Sequence, residues 1–204
     1  MLKIKKLMVH RIFIFILAIL GLRVVSCTTT SYGVIAEGET ATPEEAVYNA
    51  EEYLNTRPNW DIDCSHFVLD CYHSQKMNDY CRTNSLHRNL TYTLNAYLRD
   101  QKTRRLKFSD IKPGDILIFN KTYDMYHNGH IDDRDFYTHT GIVEYFKKGL
   151  VVYIDASSDR KPPRIHRRRF SFTDDGINET VARDPATGRK IHARETFYAA
   201  YAVP

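Results

Sequence analysis

Apolar residues recur every three or four positions between residues 42 and 98, a spacing that predicts amphipathic helices. Thr42-Pro43 offers a capping hydroxyl and a proline suited to the first helical position. Asp61 or Asp63 can cap a second helix, which places Cys64 in its first turn. The predicted helices run from Pro43 to about Leu54, from about Cys64 to about Tyr80, and from Ser85 to Leu98.

Beyond residue 110 the apolar residues form short runs bounded by turn residues, which is typical of β-strands. Lys147-Lys148-Gly149 separates two such runs and predicts a hairpin. Helices followed by strands indicate an α+β domain. The predicted strands are 116–119, 141–146, 150–156, 164–172 and 197–203, and residues 174–190 are predicted to be a loop.

The first 27 residues have a different pattern from the remainder of the chain. Four basic residues precede an apolar run from Ile12 to Leu22, which is shorter than the roughly 20 residues of a membrane-spanning helix. This arrangement is typical of a secretory signal peptide. The segment Val24-Val25-Ser26-Cys27 then resembles the lipobox of bacterial lipoproteins, a class in which the cysteine is lipidated and becomes the first mature residue.

This resemblance implies a signal peptide over residues 1–26, a lipid-anchored tether over 27–41 and a folded domain over 42–204. We expect an exported protein that is held to a membrane through lipid on Cys27. In a Gram-negative source this would be the outer membrane, on the side that faces the periplasm. An ordinary signal peptide cut nearby and an uncleaved anchor remain alternatives, and both also place the domain outside the cytoplasm.

The charge balance changes once the signal peptide is removed. Residues 1–26 contain five basic and no acidic residues, so the mature chain has 24 basic against 25 acidic residues, a formal charge of −1. The charge of +4 on the whole chain therefore gives no support to a nucleic-acid partner.

Three cysteines remain in the domain. Cys64 and Cys71 lie seven residues apart on one predicted helix, about 10 Å at 1.5 Å per residue, which is too far for a disulfide. Cys71 and Cys81 can pair across a helix end in an oxidising compartment. That pairing would leave Cys64 as an unpaired thiol in an exported protein.

Cys64 has the position of a nucleophile. The first turn of a helix carries unpaired N–H groups and a positive dipole end, which favour a thiolate. His139, far along the chain in the strand-like segment Thr138 to Val143, can take the thiol proton and return it to a leaving amine. Asp155, on the next predicted strand, can orient the imidazole. Taken singly, each residue is more often structural: a buried small side chain, a strand histidine or a solvated acid.

The polar loop at residues 120–137 holds a group of histidines and aspartates. No pair among them has a familiar zinc spacing, and their order differs from that of a calcium loop. We therefore expect no metal and interpret the loop as the hydrated rim of an active site. No cofactor is implied. The residues of the group are His127, His130, Asp132, Asp133 and Asp135.

Four segments, in order, resemble motifs of the NlpC-type cell-wall cysteine peptidases. Asp63-Cys64-Ser65-His66-Phe67-Val68 is similar to the DCSGFV signature, and Ile111 to Phe119 is similar to the LxPGDLxFF turn and strand. His139-Thr140-Gly141-Ile142-Val143 resembles HVGIY, and Ile154-Asp155-Ala156-Ser157 resembles IHAS. The ordered set covers about residues 43–204 and is far more specific than any one of its motifs.

The resemblance implies a papain-like fold, with N-terminal helices packed on an antiparallel sheet. It also implies hydrolysis of an amide in peptidoglycan stem peptides, typically between D-glutamate and a diamino acid such as diaminopimelate. Carried over by position, Cys64 is the nucleophile that forms a thioester, His139 is the base and Asp155 is the third member. Asp63 and Ser65 match positions that contact the free amine of the stem's L-alanine in some relatives. The N–H of Cys64 would help to hold the oxyanion.

Three features depart from the family pattern. His66 stands where the family has glycine, so its side chain either enters the substrate pocket or points away along the helix. Asp155 stands where histidine is usual, although an aspartate can also orient an imidazole. The glycine-rich stretch that carries the family's oxyanion tyrosine is missing, and Tyr53 and Trp60 are the candidates to replace it.

Two other functions remain open at this point. A thiol-dependent acyltransferase of related fold would need an apolar acyl slot, whereas a peptidase needs a polar groove, and the polar loop favours the peptidase. A non-catalytic cell-wall-binding lipoprotein is the other alternative, which His66 favours and the intact Cys64 and His139 oppose. The sequence does not show whether an activating protein partner is required. Fold alone decides none of these functions.

Overall fold

A computed structural model describes residues 39–56, 62–84, 89–157 and 164–203 of the protein. The predictions for the signal peptide, for lipid on Cys27 and for Trp60 concern residues outside these ranges. The described helices are α1 (Pro43–Thr56), α2 (Cys64–Tyr72), α3 (Gln75–Asn84), α4 (Leu90–Asp100) and the short α5 (Ala193–Thr196). The described strands are β1 (Ile116–Phe119), β2 (His139–Lys147), β3 (Leu150–Ser157), β4 (Arg164–Ser171), β5 (Thr180–Arg183), β6 (Lys190–His192) and β7 (Phe197–Tyr201).

The start of α1 confirms the predicted capping pattern. The backbone N–H of Thr42 donates to Glu45 Oε2 at 2.8 Å, and the N–H of Glu45 donates to Thr42 Oγ1 at 3.2 Å. This reciprocal pair satisfies two of the donors that a helix start leaves without partners.

The predicted single helix from Cys64 to Tyr80 is wrong, because the chain breaks it at His73. His73 adopts a left-handed conformation with φ 51°, and its N–H donates to two carbonyls of the last turn of α2. Ser74 then directly precedes α3, and its hydroxyl accepts the N–H of Met77 at 3.4 Å. A residue with this backbone conformation ends a helix even where the apolar pattern continues.

The third predicted helix corresponds to α4. The described part of this helix begins at Leu90, after Asn89, whose side chain accepts the N–H of Tyr92 at 2.6 Å. The predicted start at Ser85 falls outside the described residues, and the helix continues to Asp100, just beyond the predicted end at Leu98.

One antiparallel sheet of five strands has the order β4-β3-β2-β1-β7, and β5 pairs with β6 in a second sheet of two strands. Helices combined with an antiparallel sheet confirm the predicted α+β class. The hairpin of β2 and β3 is also confirmed, with Lys147 opposite Leu150 across its turn. Gly149 lies in that turn with φ 84°, a conformation that glycine adopts without strain.

The prediction of a loop at residues 174–190 is wrong in part, because β5 and the beginning of β6 lie within it. Asp184 builds the turn between these strands: its Oδ1 accepts the N–H of Thr187 at 2.8 Å, and its Oδ2 accepts the N–H of Ile131 at 3.0 Å. Strands this short carry little periodic signal, so contacts distant in sequence decide their formation.

The helices cover one face of the five-stranded sheet, and a second apolar cluster covers the other. Ile116 and Ile118 of β1 belong to the helix-side core, whereas Leu117 and Phe119 belong to the opposite cluster. All four residues of β1 are buried for this reason. The helix-side core includes Phe67, Val68, Tyr72, Leu94 and Leu98, and the opposite cluster includes Val151, Phe170 and Ala193.

Within the described ranges, no helix is both long and apolar enough to cross a membrane. Cys64, Cys71 and Cys81 are free thiols, so the disulfide considered between Cys71 and Cys81 is not formed.

Candidate active site

Cys64 is the first residue of α2, as predicted, and Asp63, one of the two predicted candidates, caps the helix. The Asp63 side chain accepts the backbone N–H groups of Ser65 and His66, each at 2.9 Å. The cap aligns the first turn and directs its positive dipole end towards the thiol. This local structure favours the thiolate form of Cys64.

His139 begins β2 and lines the same cleft as Cys64, close enough for its charge to act on the thiol. On its other side the imidazole contacts Asp155, with His139 Nε2 at 2.8 Å from Asp155 Oδ2. Because Nε2 is engaged by Asp155, Nδ1 is the ring nitrogen left for the thiol. The three residues predicted to form a catalytic relay are therefore brought together in the predicted order.

Gly141 allows β3 to approach β2 closely enough for this contact. A Cβ atom at residue 141 would lie 2.8 Å from the carbonyl oxygen of Ile154 and 3.3 Å from the Cβ of Asp155. Any larger side chain would therefore push the strand of Asp155 away from the strand of His139. The glycine of the HVGIY-like motif thus has a geometric role beside the relay.

Arg168 is a site residue that the sequence reasoning missed. Its Nε donates to Asp155 Oδ2 at 2.9 Å and to Oδ1 at 3.2 Å, and its Nη1 donates to the carbonyl of Thr180 at 2.8 Å. The side chain of Arg168 is 16% exposed and that of Asp155 is 0% exposed. Its neighbours Arg167 and Arg169 are exposed, so Arg168 alone in this arginine run is directed at the relay.

Electrostatics in the relay favour a thiolate–imidazolium pair. Burial raises the pKa of Cys64, but the charge of His139 and the hydrogen bond from it outweigh burial and bring the pKa below its ordinary value. Burial lowers the pKa of His139, whereas the charge of Cys64 and the hydrogen bond to Asp155 raise it to about 10. Burial also opposes the ionised form of Asp155, yet His139 and Arg168 hold its pKa below the usual value.

Thr91, near the start of α4, is a second residue that the sequence reasoning missed. Its hydroxyl lies 3.7 Å from the sulfur of Cys64 and 2.6 Å from the hydroxyl of Ser65. Both Thr91 and Ser65 are buried, and the hydrogen bond from Thr91 favours the thiolate. Its position at a helix start, 27 residues from Cys64, left no signal in the local pattern.

The relay opens onto a cleft of about 890 Å³ that is lined largely by polar side chains. Asp63 and Ser65, predicted to bind substrate, both line it. His66 does not line the cleft; its side chain is 61% exposed and its Nδ1 lies 2.9 Å from Asp63 Oδ2. The His66 side chain therefore points away from the cleft, along the helix.

Tyr53 and Trp60 were the candidates for a side chain that holds the oxyanion. Tyr53 does not line the cleft; its hydroxyl donates to Asp70 Oδ2 at 3.3 Å. Trp60 lies outside the described residues. Tyr123, from the loop at 120–137, lines the cleft, and its pKa is raised by burial and by the charge of Cys64.

The aspartates of the loop at 120–137 are engaged within the loop itself. Asp135 is buried, and its two oxygens accept the N–H groups of Met125 and Asp132, both at 2.9 Å. Asp132 also pairs with Arg134 at 2.6 Å. In the part of the chain that the structure describes, no three or more His, Cys, Asp or Glu side chains are grouped to hold a metal ion.

Comparison of the chain with protein-family models, with curated proteins and with solved structures finds no match.

Proposed function

We propose that this protein is a cysteine peptidase with a papain-like, NlpC-type fold that hydrolyses amide bonds in peptidoglycan stem peptides, between D-glutamate and a diamino acid. The observation that carries the proposal is the grouping of Cys64 and His139 in the lining of one cleft, with the buried Asp155 in contact with His139 behind them. The ordered motifs around these residues support the choice of peptidoglycan as the substrate.

In the first half of the reaction, the thiolate of Cys64 attacks the carbonyl carbon of the scissile amide. The negative charge moves to the carbonyl oxygen, where the N–H of Cys64 at the helix start can stabilise it. His139, charged before the attack, then gives its proton to the leaving amine as the C–N bond breaks. The products are a free amine and a thioester on Cys64.

In the second half, water replaces the amine. Neutral His139 takes a proton from the water as its oxygen attacks the thioester, and the proton returns to the sulfur or stays on the imidazole when the C–S bond breaks. Asp155 holds the ring orientation and stabilises the imidazolium in both halves. The polar lining of the cleft admits water, which supports hydrolysis over acyl transfer to another acceptor.

In this proposal the peptidase acts at a membrane surface, where its N-terminal segment is anchored. Lipid on Cys27 and a short tether would hold the domain beside the wall, outside the cytoplasm. Dual or triple acylation holds a protein at a bilayer far more firmly than one chain does.

Digestion of purified peptidoglycan tests the proposal, with the full chain in detergent compared with the Cys64→Ala variant. We expect new stem-peptide fragments, identified by mass, only with the intact cysteine. Fragments whose new termini are D-glutamate and a diamino acid would support the bond named above. Fragments produced equally by Cys64→Ala, or no fragments from any wall type, would contradict the proposal.

A further inference from the structure

Two arginines in the cleft have no carboxylate partner among the described residues. Arg164 has no ion pair there, and Arg183 donates only to the carbonyl of Gly188, at 3.3 Å. The neighbouring arginines of β4 are all neutralised: Arg167 by Glu144 at 2.6 Å, Arg168 by Asp155, and Arg169 by Glu179 at 3.0 Å. The two unpaired guanidinium groups both line the same cleft as Cys64.

The two arginines reach the cleft from different strands, Arg164 from β4 and Arg183 from β5. The chain approaching β5 runs back along β4, because the N–H of Glu179 donates to the carbonyl of Arg169 at 3.1 Å and Arg168 donates to the carbonyl of Thr180. The contact of Arg168 with Thr180 thus links the strands of Arg164 and Arg183 beside the cleft.

The acidic residues of the cleft are held on other elements. Asp63 caps α2 and pairs with His66. Asp124, in the loop at 120–137, accepts the backbone N–H groups of Asn128 at 3.0 Å and Gly129 at 2.7 Å. Neither contacts Arg164 or Arg183. The wall formed by β4 and β5 therefore presents positive charge that the described residues do not neutralise.

We propose that Arg164 and Arg183 form a subsite for a free carboxylate of the substrate. A guanidinium group presents a planar fork of donors that matches a carboxylate, and it stays charged at any physiological pH. The assignment rests on the proposed function for its substrate: a dicarboxylic residue that forms one amide through one carboxyl group keeps the other as a free carboxylate. The subsite would then distinguish stem peptides with this carboxylate free from those in which it is amidated.

Matched alkylating reagents test the subsite without peptidoglycan. Iodoacetyl derivatives of glycine and of 4-aminobutyrate carry a carboxylate at a shorter and a longer distance from the reactive carbon. Their amides are neutral controls of the same size. The sulfur of Cys64 forms a C–S bond with the methylene carbon and iodide leaves. Labelling is quantified by mass on the peptide that contains Cys64, in the full chain, so that the other thiols do not contribute.

We expect Arg164→Gln and Arg183→Gln each to lower the ratio of the charged to the neutral rate by about two- to fivefold, as for a partly exposed ion pair. Arg169→Gln is the matched control: it removes the same charge from the same strand, but Arg169 is 62% exposed and does not line the cleft. Its ratio should stay at the wild-type value. The subsite would be overturned if the ratio of charged to neutral labelling rates stayed unchanged in both cleft variants with the shorter and the longer reagent. An equal fall of this ratio in Arg169→Gln would also overturn it.

The result separates this inference from the proposed function. If the ratio responds but no peptidoglycan is cut, the carboxylate subsite stands and the substrate assignment fails. If peptidoglycan is cut but the ratio does not respond, the peptidase stands and the subsite fails.

Discussion

The guanidinium of Arg168 contacts the buried carboxylate of Asp155, with Nε at 2.9 Å from Oδ2 and 3.2 Å from Oδ1. The same Oδ2 lies 2.8 Å from His139 Nε2, so the carboxylate lies between two cationic groups. Burial of an ionised carboxylate is costly unless it is paired. Arg168 thus keeps Asp155 charged and in contact with His139, which makes it a positioning residue of the relay.

Replacing Arg168 should destabilise the fold and disturb the relay together. Arg168→Met leaves a buried charge with one cation fewer, and breaking such a pair from one side costs about 3 kcal/mol. We expect a lower denaturant midpoint and a changed pH profile of Cys64 alkylation.

In the double variant with Asp155→Asn, the stability costs of the two substitutions should not add, because both substitutions remove the same pair. Arg169→Gln should change the free energy of unfolding by less than about 1 kcal/mol. Additive costs in the double variant would contradict the positioning role of Arg168.

The pH profile of Cys64 reactivity should have two transitions. The lowered pKa of Cys64 means that the thiolate is present below the unperturbed pKa of about 8.5, so alkylation by iodoacetamide should rise at lower pH than for an ordinary thiol. The raised pKa of His139 means that the imidazolium persists until about pH 10 and is lost above it. The rate should therefore rise, level off and change again near pH 10.

The His139→Gln variant is the control for that profile. Burial of Cys64 remains while the stabilising cation is gone, so the thiol pKa should move above the unperturbed value and the upper transition should vanish. An unaltered profile in this variant would show that His139 does not stabilise the thiolate.

Thr91→Val should raise the pKa of Cys64, because it removes a hydroxyl that favours the thiolate. It also leaves the buried hydroxyl of Ser65 without this partner, which costs about 1 to 3 kcal/mol of stability. Thr93→Val provides a comparison: Thr93 is equally buried on α4, but its hydroxyl donates to the carbonyl of Leu90 at 2.9 Å. It should lower stability and leave the alkylation profile of Cys64 in place. Equal profiles for the two variants would count against Thr91.

Gly141→Ala should separate β2 from β3 beside the relay. The new Cβ would meet the carbonyl of Ile154 at 2.8 Å, and such overpacking costs about 1 to 3 kcal/mol. We expect a lower denaturant midpoint and a lower pKa for His139, since the imidazolium moves away from Asp155. Gly176→Ala, where the nearest atom is a flexible carboxylate oxygen of Asp174 at 3.2 Å, should have little effect on either quantity.

Short-range patterns determined much of this protein. Asp63 as a cap, Cys64 in the first turn of a helix, the strand at Ile116–Phe119 and the hairpin that carries His139 all follow from residues within a few positions of one another. Caps, turns and period-two alternation are local physics, so the sequence alone predicts them. The relay of Cys64, His139 and Asp155 could be proposed because motifs marked where each element begins.

The tertiary structure alone decided which distant side chains complete the site. In the sequence, Arg168 is one member of an arginine run, and the register of β3 and β4 is what places it against Asp155. Thr91 lies beside Cys64 because α4 packs on α2. The pairing of β5 with β6 likewise depends on a register that no short window of sequence contains. The physical reason is that register and packing minimise free energy over the whole chain, whereas periodicity reports only the nearest neighbours.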